Sequence, residues 1–191
     1  MIPKKVGILG GTFDPVHLGH LIMANEAYHA LSLDELRFMP SAVPPHKKSH
    51  LITSNDHRIK MVELAIEDIP YFKLERIEFE RSGLSFTYDT INQLKIREPD
   101  IEIFFIIGGD MIDYLPQWHK IKELMNDVQF VGIRRTGSSG ETDYPVHMLE
   151  TPMIDLSSSF IRQRLNQNID VTFLLPYKVF EYIKQEGLYE S

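Results

Sequence analysis

Residues 6–20 read V-G-I-L-G-G-T-F-D-P-V-H-L-G-H, and few architectures accept such a string. Val6, Ile8 and Leu9 are apolar and β-prone, Gly10 and Gly11 end the run, and Asp14 and Pro15 turn the chain. From Leu18 the apolar spacing becomes helical. The stretch therefore predicts strand, glycine turn, helix. Glycines let backbone N–H groups approach an anion, and the first N–H groups of a helix have no partner inside it. The junction thus suits a phosphate. His17 and His20 are three apart, so they share a face once the helix has begun. Neither the dinucleotide pattern G-x-G-x-x-G nor a P-loop ending in G-K-[ST] is present in this stretch. A histidine at a helix start also serves as a cap or a surface residue. A His-x-x-His pair can hold a metal, but that needs a third ligand and a second shell. The chain has no cysteine and no H-E-x-x-H.

Composition narrows the partners. The 191 residues suffice for one sizeable core, and no repeat or linker composition divides them, so one domain over 1–191 is expected. The net charge is −7 and no long basic run occurs, which argues against nucleic acid as the main partner. An acidic chain that binds nucleotides must build its positive site locally, from glycine amides, His, Lys and Arg. The absence of cysteine fits a reducing compartment. The first residues, M-I-P-K-K-V, lead straight into the first strand, with no stretch of signal-peptide or membrane-spanning length. A cytoplasmic location and no membrane partner are expected. Assembly with further copies of the chain is compatible with the sequence.

The rest of the chain alternates strands and helices. A helix over 18–31 and a strand over 35–39 complete a βαβ unit, hence a parallel sheet with a right-handed crossover. Ligands of such sheets bind outside the carboxyl ends of the strands, where the 10–20 turn lies. A loop over 41–52 follows, with Pro44 and Pro45 stiffening it and His46, Lys47 and Lys48 adding positive charge. Such clusters are commonly just solvated. Ser54 or Asn55 caps a helix to about residue 68. Residues 72–79 alternate well enough for a strand, and S-F-T-Y-D-T at 85–90 leads into a helix through 94, with Thr87 its expected cap. The run I-E-I-F-F-I-I at 101–107 suits a central strand buried on both faces and ends in Gly108-Gly109-Asp110. An acidic residue there can accept from a ribose hydroxyl or hold a hydrated Mg²⁺. A helix starting at 111 is interrupted by Pro116, and Trp118, the single tryptophan, follows in a polar loop.

Residues 121–125 read as helix, 128–133 as strand and 146–149 as an edge strand. Arg134 could help bind a nucleotide but reads first as surface or structural, and the T-G-S-S-G-E-T loop at 136–142 is expected to be mobile. At 156–162, L-S-S-S-F-I-R places serines at a helix start, where they cap and offer donors to an anion. Arg162 lies one turn on and can point back to the same place. Serine caps are common, so this segment alone specifies nothing. Pro176 opens a last helix, with Val179, Phe180 and Ile183 on its buried face and Gly187 at its end.

The string G-G-T-F-D-P-V-H-L-G-H resembles the signature of the nucleotidyltransferase superfamily that carries an H-x-G-H motif. Taken with P-P-H-K, T-Y-D-T, G-G-D, P-Q-W-H and L-S-S-S-F-I-R, the chain is similar nearly end to end to bacterial nicotinate mononucleotide adenylyltransferases. It departs from the family's I-S-S-[ST]-x-I-R only by Leu156, a conservative change. The resemblance implies an α/β fold: a doubly wound, Rossmann-like, mainly parallel sheet with C-terminal helices. It implies transfer of AMP from ATP to nicotinate mononucleotide, with Mg²⁺ carried by the nucleotide phosphates rather than by a protein metal site. By the same resemblance ATP meets Gly10, Gly11, Thr12, Phe13, His17, His20, Gly108, Asp110, Ser157, Ser158 and Arg162. Of these His17, His20 and Arg162 are the catalytic candidates. The mononucleotide meets Thr12, His46, Lys47, Thr87, Asp110 and Trp118, with Trp118 as a stacking face for the pyridine ring; Lys48 is not carried over. Sister transferases acting on nicotinamide mononucleotide or phosphopantetheine would share both anchors. The Thr87 and Trp118 segments argue against phosphopantetheine. A nucleotide sensor that binds without catalysis and a metal-dependent hydrolase are the rivals from other classes.

Overall fold

A computed structural model of the chain describes residues 2–43, 52–80, 83–134, 142–152 and 154–190. His46, Lys47 and most of the 136–142 loop lie outside them, as does the side chain of Asp110.

Six strands form one sheet in the order β3-β2-β1-β4-β5-β6: Lys4–Gly11, Glu35–Pro40, Phe72–Leu74, Ile101–Gly108, Gln129–Ile133 and Val146–Leu149 for β1 to β6. Every pairing is parallel. The register sets Leu9 beside Phe38 and Ile106, and Ile8 beside Phe105. Side chains alternate between two faces. Leu9, Phe38, Phe104, Ile106 and Val131 enter one core. Val6, Ile8, Ile103, Phe105, Ile107 and Phe130 enter the other. This explains the unbroken apolar run of β4, because a parallel strand covered on both sides has no polar face.

The first core is closed by α1 (Leu18–Ala30), α2 (Asn55–Ile66), α6 (Ser158–Asn166) and α7 (Tyr177–Gln185). The second is closed by α3 (Thr87–Arg97), α5 (Ile121–Asp127) and the short α4 (Gly109–Ile112). The sheet is thus wound from both sides, and its order reverses between β1 and β4. The glycine ends of these two strands, Gly10-Gly11 and Gly108, lie side by side at that switch point, the usual place for a ligand in such folds. Helix α7 ends as its sequence predicts. Gly187 takes φ 60°, its N–H donates to Lys184 C=O and that of Leu188 to Ile183 C=O, the glycine-ended cap that spares a Cβ the left-handed conformation. Among the described residues no helix is long and apolar enough to cross a membrane.

Two local expectations are corrected. The strand predicted over 72–79 stops at Leu74, and Ile77–Glu80 is a 3₁₀ turn. The cause is two buried carboxylates. Glu75 accepts from Ile77 N–H at 3.0 Å, bending the chain, and also takes Arg37 at 3.1 Å and Arg97 at 2.5 Å. Glu78 turns inward to accept from Ala42 N–H and the Thr90 hydroxyl, each at 3.2 Å. Thr87, in turn, is the first residue of α3 rather than its cap. Phe86 occupies the cap with extended backbone, and its carbonyl receives Thr90 N–H.

Arg37 gathers Glu35, Glu75 and Glu98 around one nearly buried guanidinium. Its two parallel bonds to Glu98, 2.7 and 2.6 Å, hold that carboxyl down at about 2. A value depressed in the folded state means stability that is present above the ordinary 4.5 and lost as pH falls toward 2. Glu98→Gln should therefore lower the melting temperature near neutral pH. The gap to wild type should narrow as pH falls through this window in a calorimetric series. A gap of constant size down to about pH 2 would contradict the assignment.

Candidate functional site

A cleft of about 610 Å³ opens where β1 and β4 end. Gly10, Gly11 and Thr12 form one wall, with Gly108 and Met111 beside them and His20 on the first turn of α1. Ser41 lies beside Gly11, its N–H on the Gly11 carbonyl; Glu78, Ser85, Phe86 and Thr87 continue the lining, and Gln117, Trp118 and His119 form the far end.

Glycine inside the H-L-G-H string lets a ring pack close against the helix backbone. A Cβ on Gly19 would sit 3.1 Å from Cε1 and Nδ1 of His17. With no Cβ there, the two imidazoles stack, centroids 3.6 Å apart and planes 27° from parallel. His17 is the N-cap residue of α1 and is 1% exposed. Its backbone N–H donates to His20 Nδ1 at 3.2 Å. That bond occupies Nδ1 as an acceptor, so a neutral His20 carries its proton on Nε2. Phe13 packs edge-on against His20 at 5.0 Å. His20 is thus held on two sides and presents to the cleft.

The second anchor meets the first. Ser158 donates its hydroxyl to Pro15 C=O at 2.9 Å, and Arg162 Nη1 donates to Asp14 C=O at 2.6 Å. The guanidinium also lies 4.0 Å from the Asp14 carboxylate. Segments more than 140 residues apart therefore converge on one turn, as the sequence requires. Their side chains do not all face the cleft. Ser157 spends its oxygen on Phe160 N–H as the α6 cap, and Ser158 serves the turn. Arg162, about a third exposed, lies behind the same turn, and neither it nor the serines line the cleft. His17 and the ring of Phe13 are likewise buried supports. The turn is further fixed through Asp14, 3% exposed, which accepts from the Tyr189 hydroxyl at 2.6 Å and Thr53 N–H at 3.4 Å. Burial, with Asp14 adding to it, pushes the Tyr189 phenol well up, so it stays a donor.

At the far end Trp118 packs edge-on against Phe105 and Phe130, centroids 6.0 and 5.8 Å away, and is also among the residues that line the cleft. It is at once a core residue and a wall. Thr87 lines the cleft with the N-terminus of α3 behind it. Among the described residues no three His, Asp or Glu side chains gather to hold an ion. The cleft lining offers amides, hydroxyls and the imidazoles of His20 and His119, donors suited to anionic oxygens, beside the Glu78 carboxylate that Ala42 and Thr90 occupy.

The sequence reading missed Ser41, Glu78, Ser85, Phe86 and His119. Ser41 and Ser85 belong to a clasp: Ser41 N–H donates to Gly11 C=O at 2.9 Å, and Ser85 N–H to Val43 C=O at 3.1 Å. The pairing of loops after different strands leaves no mark in local sequence. It missed Arg58 as well, which bonds the Thr12 and Ser41 carbonyls at 2.7 Å each.

Comparison with known proteins agrees with the geometry. Residues 8–164 match the cytidylyltransferase-like family. The chain is 50% identical over 188 residues to the nicotinate-nucleotide adenylyltransferase of Bacillus subtilis, covering 98% of this chain and 100% of that one. It is 51% identical over 185 residues to a probable nicotinate-nucleotide adenylyltransferase of Geobacillus thermodenitrificans, covering 97% and 86%. Among solved structures, Plasmodium falciparum nicotinic acid mononucleotide adenylyltransferase complexed with NaAD superposes with TM-score 0.83 at 22% identity, covering 97% of each chain. At that identity the match speaks for the fold.

Gly19→Ala tests the packing of the two imidazoles. The added methyl must displace the His17 ring and with it His20. Turnover should fall by roughly 10-fold or more with the protein still folded by circular dichroism. Unchanged turnover would show that the stacked arrangement has no bearing on the chemistry.

Proposed function

The chain belongs to the cytidylyltransferase-like family, on its nicotinate-nucleotide adenylyltransferase branch, and from that premise we propose how its cleft makes the dinucleotide. The 5′-phosphate of nicotinate mononucleotide attacks the α-phosphorus of ATP in line. A new P–O bond forms, the bond from the α-phosphorus to the bridging oxygen breaks, and pyrophosphate leaves. The nucleophile is already an anion, so neither a nucleophilic side chain nor a general base is needed. The enzyme's part is positioning and charge neutralisation.

The observation that carries this reading is His20. Its Nδ1 is engaged by His17 N–H, and its ring faces a cleft floored by the β1 glycine turn. An imidazole so held offers Nε2–H to a phosphate oxygen without paying to reorient. The amides of Gly10 to Phe13 line the same run of chain, and Arg162 adds positive charge behind it. Mg²⁺ arrives with the triphosphate and neutralises part of its charge. The pyridine ring lies toward Trp118. The first N–H groups of α3, at Thr87, face the nicotinate carboxylate there. A carboxylate only accepts while an amide also donates, so donors at this place favour nicotinate over nicotinamide. Asp110, His46 and Lys47 remain assigned by resemblance. In this reading the chain is one catalytic domain working in the cytoplasm.

The direct test is pyrophosphate release with ATP and each mononucleotide in turn. Nicotinate mononucleotide should be the best substrate. Faster release with nicotinamide mononucleotide or phosphopantetheine would move the chain to a sister activity. Binding of ATP with no release from any of them would make it a sensor. Within the active enzyme, His20→Ala should lower kcat by roughly 10²–10³ at a melting temperature close to wild type. A loss within about fivefold would remove the imidazole from the chemistry.

A further inference from the structure

Arg58 is a charged side chain in α2 that is 1% exposed, and nothing in the reaction as written uses it. Its guanidinium makes bonds to three backbone carbonyls and one amide. Nε donates to Thr53 C=O at 3.2 Å, Nη1 to Thr12 C=O at 2.7 Å, and Nη2 to Ser41 C=O at 2.7 Å and to Asn55 Oδ1. The charge has no bidentate carboxylate partner among these bonds. Burial pulls its pKa down, with Asp14 opposing, yet an arginine stays charged in a protein. A buried cation fastened mainly to carbonyls is costly unless those carbonyls must be held.

What it fastens is the two neighbouring segments that leave β1 and β2 at the cleft. Thr12 lies in the turn after β1 and Ser41 in the loop after β2, and both line the cleft. A peptide unit is planar, and in its trans form N–H points opposite to C=O. Fixing the Thr12 carbonyl on Arg58 therefore fixes the Phe13 N–H pointing away from it. The same logic runs through Ser41: fixing its carbonyl fixes the Ala42 N–H, which donates to Glu78 at 3.2 Å, while Ser41's own N–H holds the Gly11 carbonyl. One rigid fork thus sets the direction of the Phe13 amide in the turn after β1 and ties that turn to the loop after β2.

Resting on the adenylyl-transfer reading above, we propose that Arg58 is a positioning residue for that reaction, its guanidinium bonded to the Thr12 and Ser41 carbonyls so that the phosphate-facing amides of the β1 turn are aligned. It touches no substrate. Its geometry needs a planar fork with three nitrogens, which lysine lacks.

The test is Arg58→Lys, which keeps the charge and satisfies fewer of the four acceptors. It is assayed beside wild type at a temperature where circular dichroism shows both folded. Misaligned amides weaken the transition state more than ground-state binding. So kcat should fall by roughly 10- to 100-fold while KM for ATP moves less than about threefold. A merely structural role would lower the melting temperature and leave kcat of the folded protein unchanged, and that result overturns the proposal. Should Arg58→Lys fail to fold, Asn55→Ala carries the test by loosening one bond to Nη2. A fall in kcat of about threefold or more at unchanged melting temperature supports the proposal, and wild-type kcat overturns it. The two readings fail differently. If wild type releases no pyrophosphate, the proposed function falls and this inference with it; if wild type turns over and the variants match it, only this inference falls.

Discussion

The site depends on carbonyls being turned away. Along the chain from Gly11 to Pro15, backbone oxygens are taken by groups from elsewhere: Gly11 by Ser41 N–H, Thr12 by Arg58, Asp14 by Arg162 and Pro15 by the Ser158 hydroxyl. A short irregular turn between strand and helix has no ladder of its own to hold it, and ordering it costs conformational entropy. A turn that must meet a polyanion also cannot let its oxygens face the ligand. The fold meets both demands by spending side chains of α2 and α6 on the backbone. It is for this reason that the first and second sequence anchors are one structure, although the second contributes no wall to the cleft.

This arrangement separates residues that support from residues that face substrate. His17, Phe13 and Ser158 are buried or committed, and they fix His20 and the turn. Gly10, Gly11, Thr12, His20, Thr87 and Trp118 stand at the cleft. A second ion cluster around Arg37 lies on β2 and joins it to β3 and the end of α3. It is made of carboxylates, whereas the Arg58 cluster is made of carbonyls.

Much of this was legible in the sequence because it is local. The strand–glycine–helix succession of β1 and α1 is written in residues 6–20, and the double-sided burial of β4 in its unbroken apolar run. Helix ends marked by Ser54, Ser157 and Gly187 fall where their chemistry puts them. What was not legible is long-range. Arg58 has the helical spacing of the buried Met61, Val62 and Ala65, but its charge reads as surface, and only the folded chain brings the Thr12 and Ser41 carbonyls to it. Glu75 and Glu78 are carboxylates that read as exposed, yet arginine and a backbone N–H from other segments draw them inside, and the strand ends early. Of the H-L-G-H string the histidines were readable, but the reason for its glycine is the imidazole of His17 lying against it.

The central claim is that the β1 turn, held from behind, binds the triphosphate over His20. A crystal structure of the protein with a non-hydrolysable ATP analogue tests it most directly. The account predicts phosphate oxygens within hydrogen-bond distance of His20 Nε2 and of the amides following Gly10, with the Thr12 and Ser41 carbonyls still on Arg58. A triphosphate seated away from His20, or a turn whose carbonyls swing free of Arg58 and Arg162 when the nucleotide binds, would contradict it.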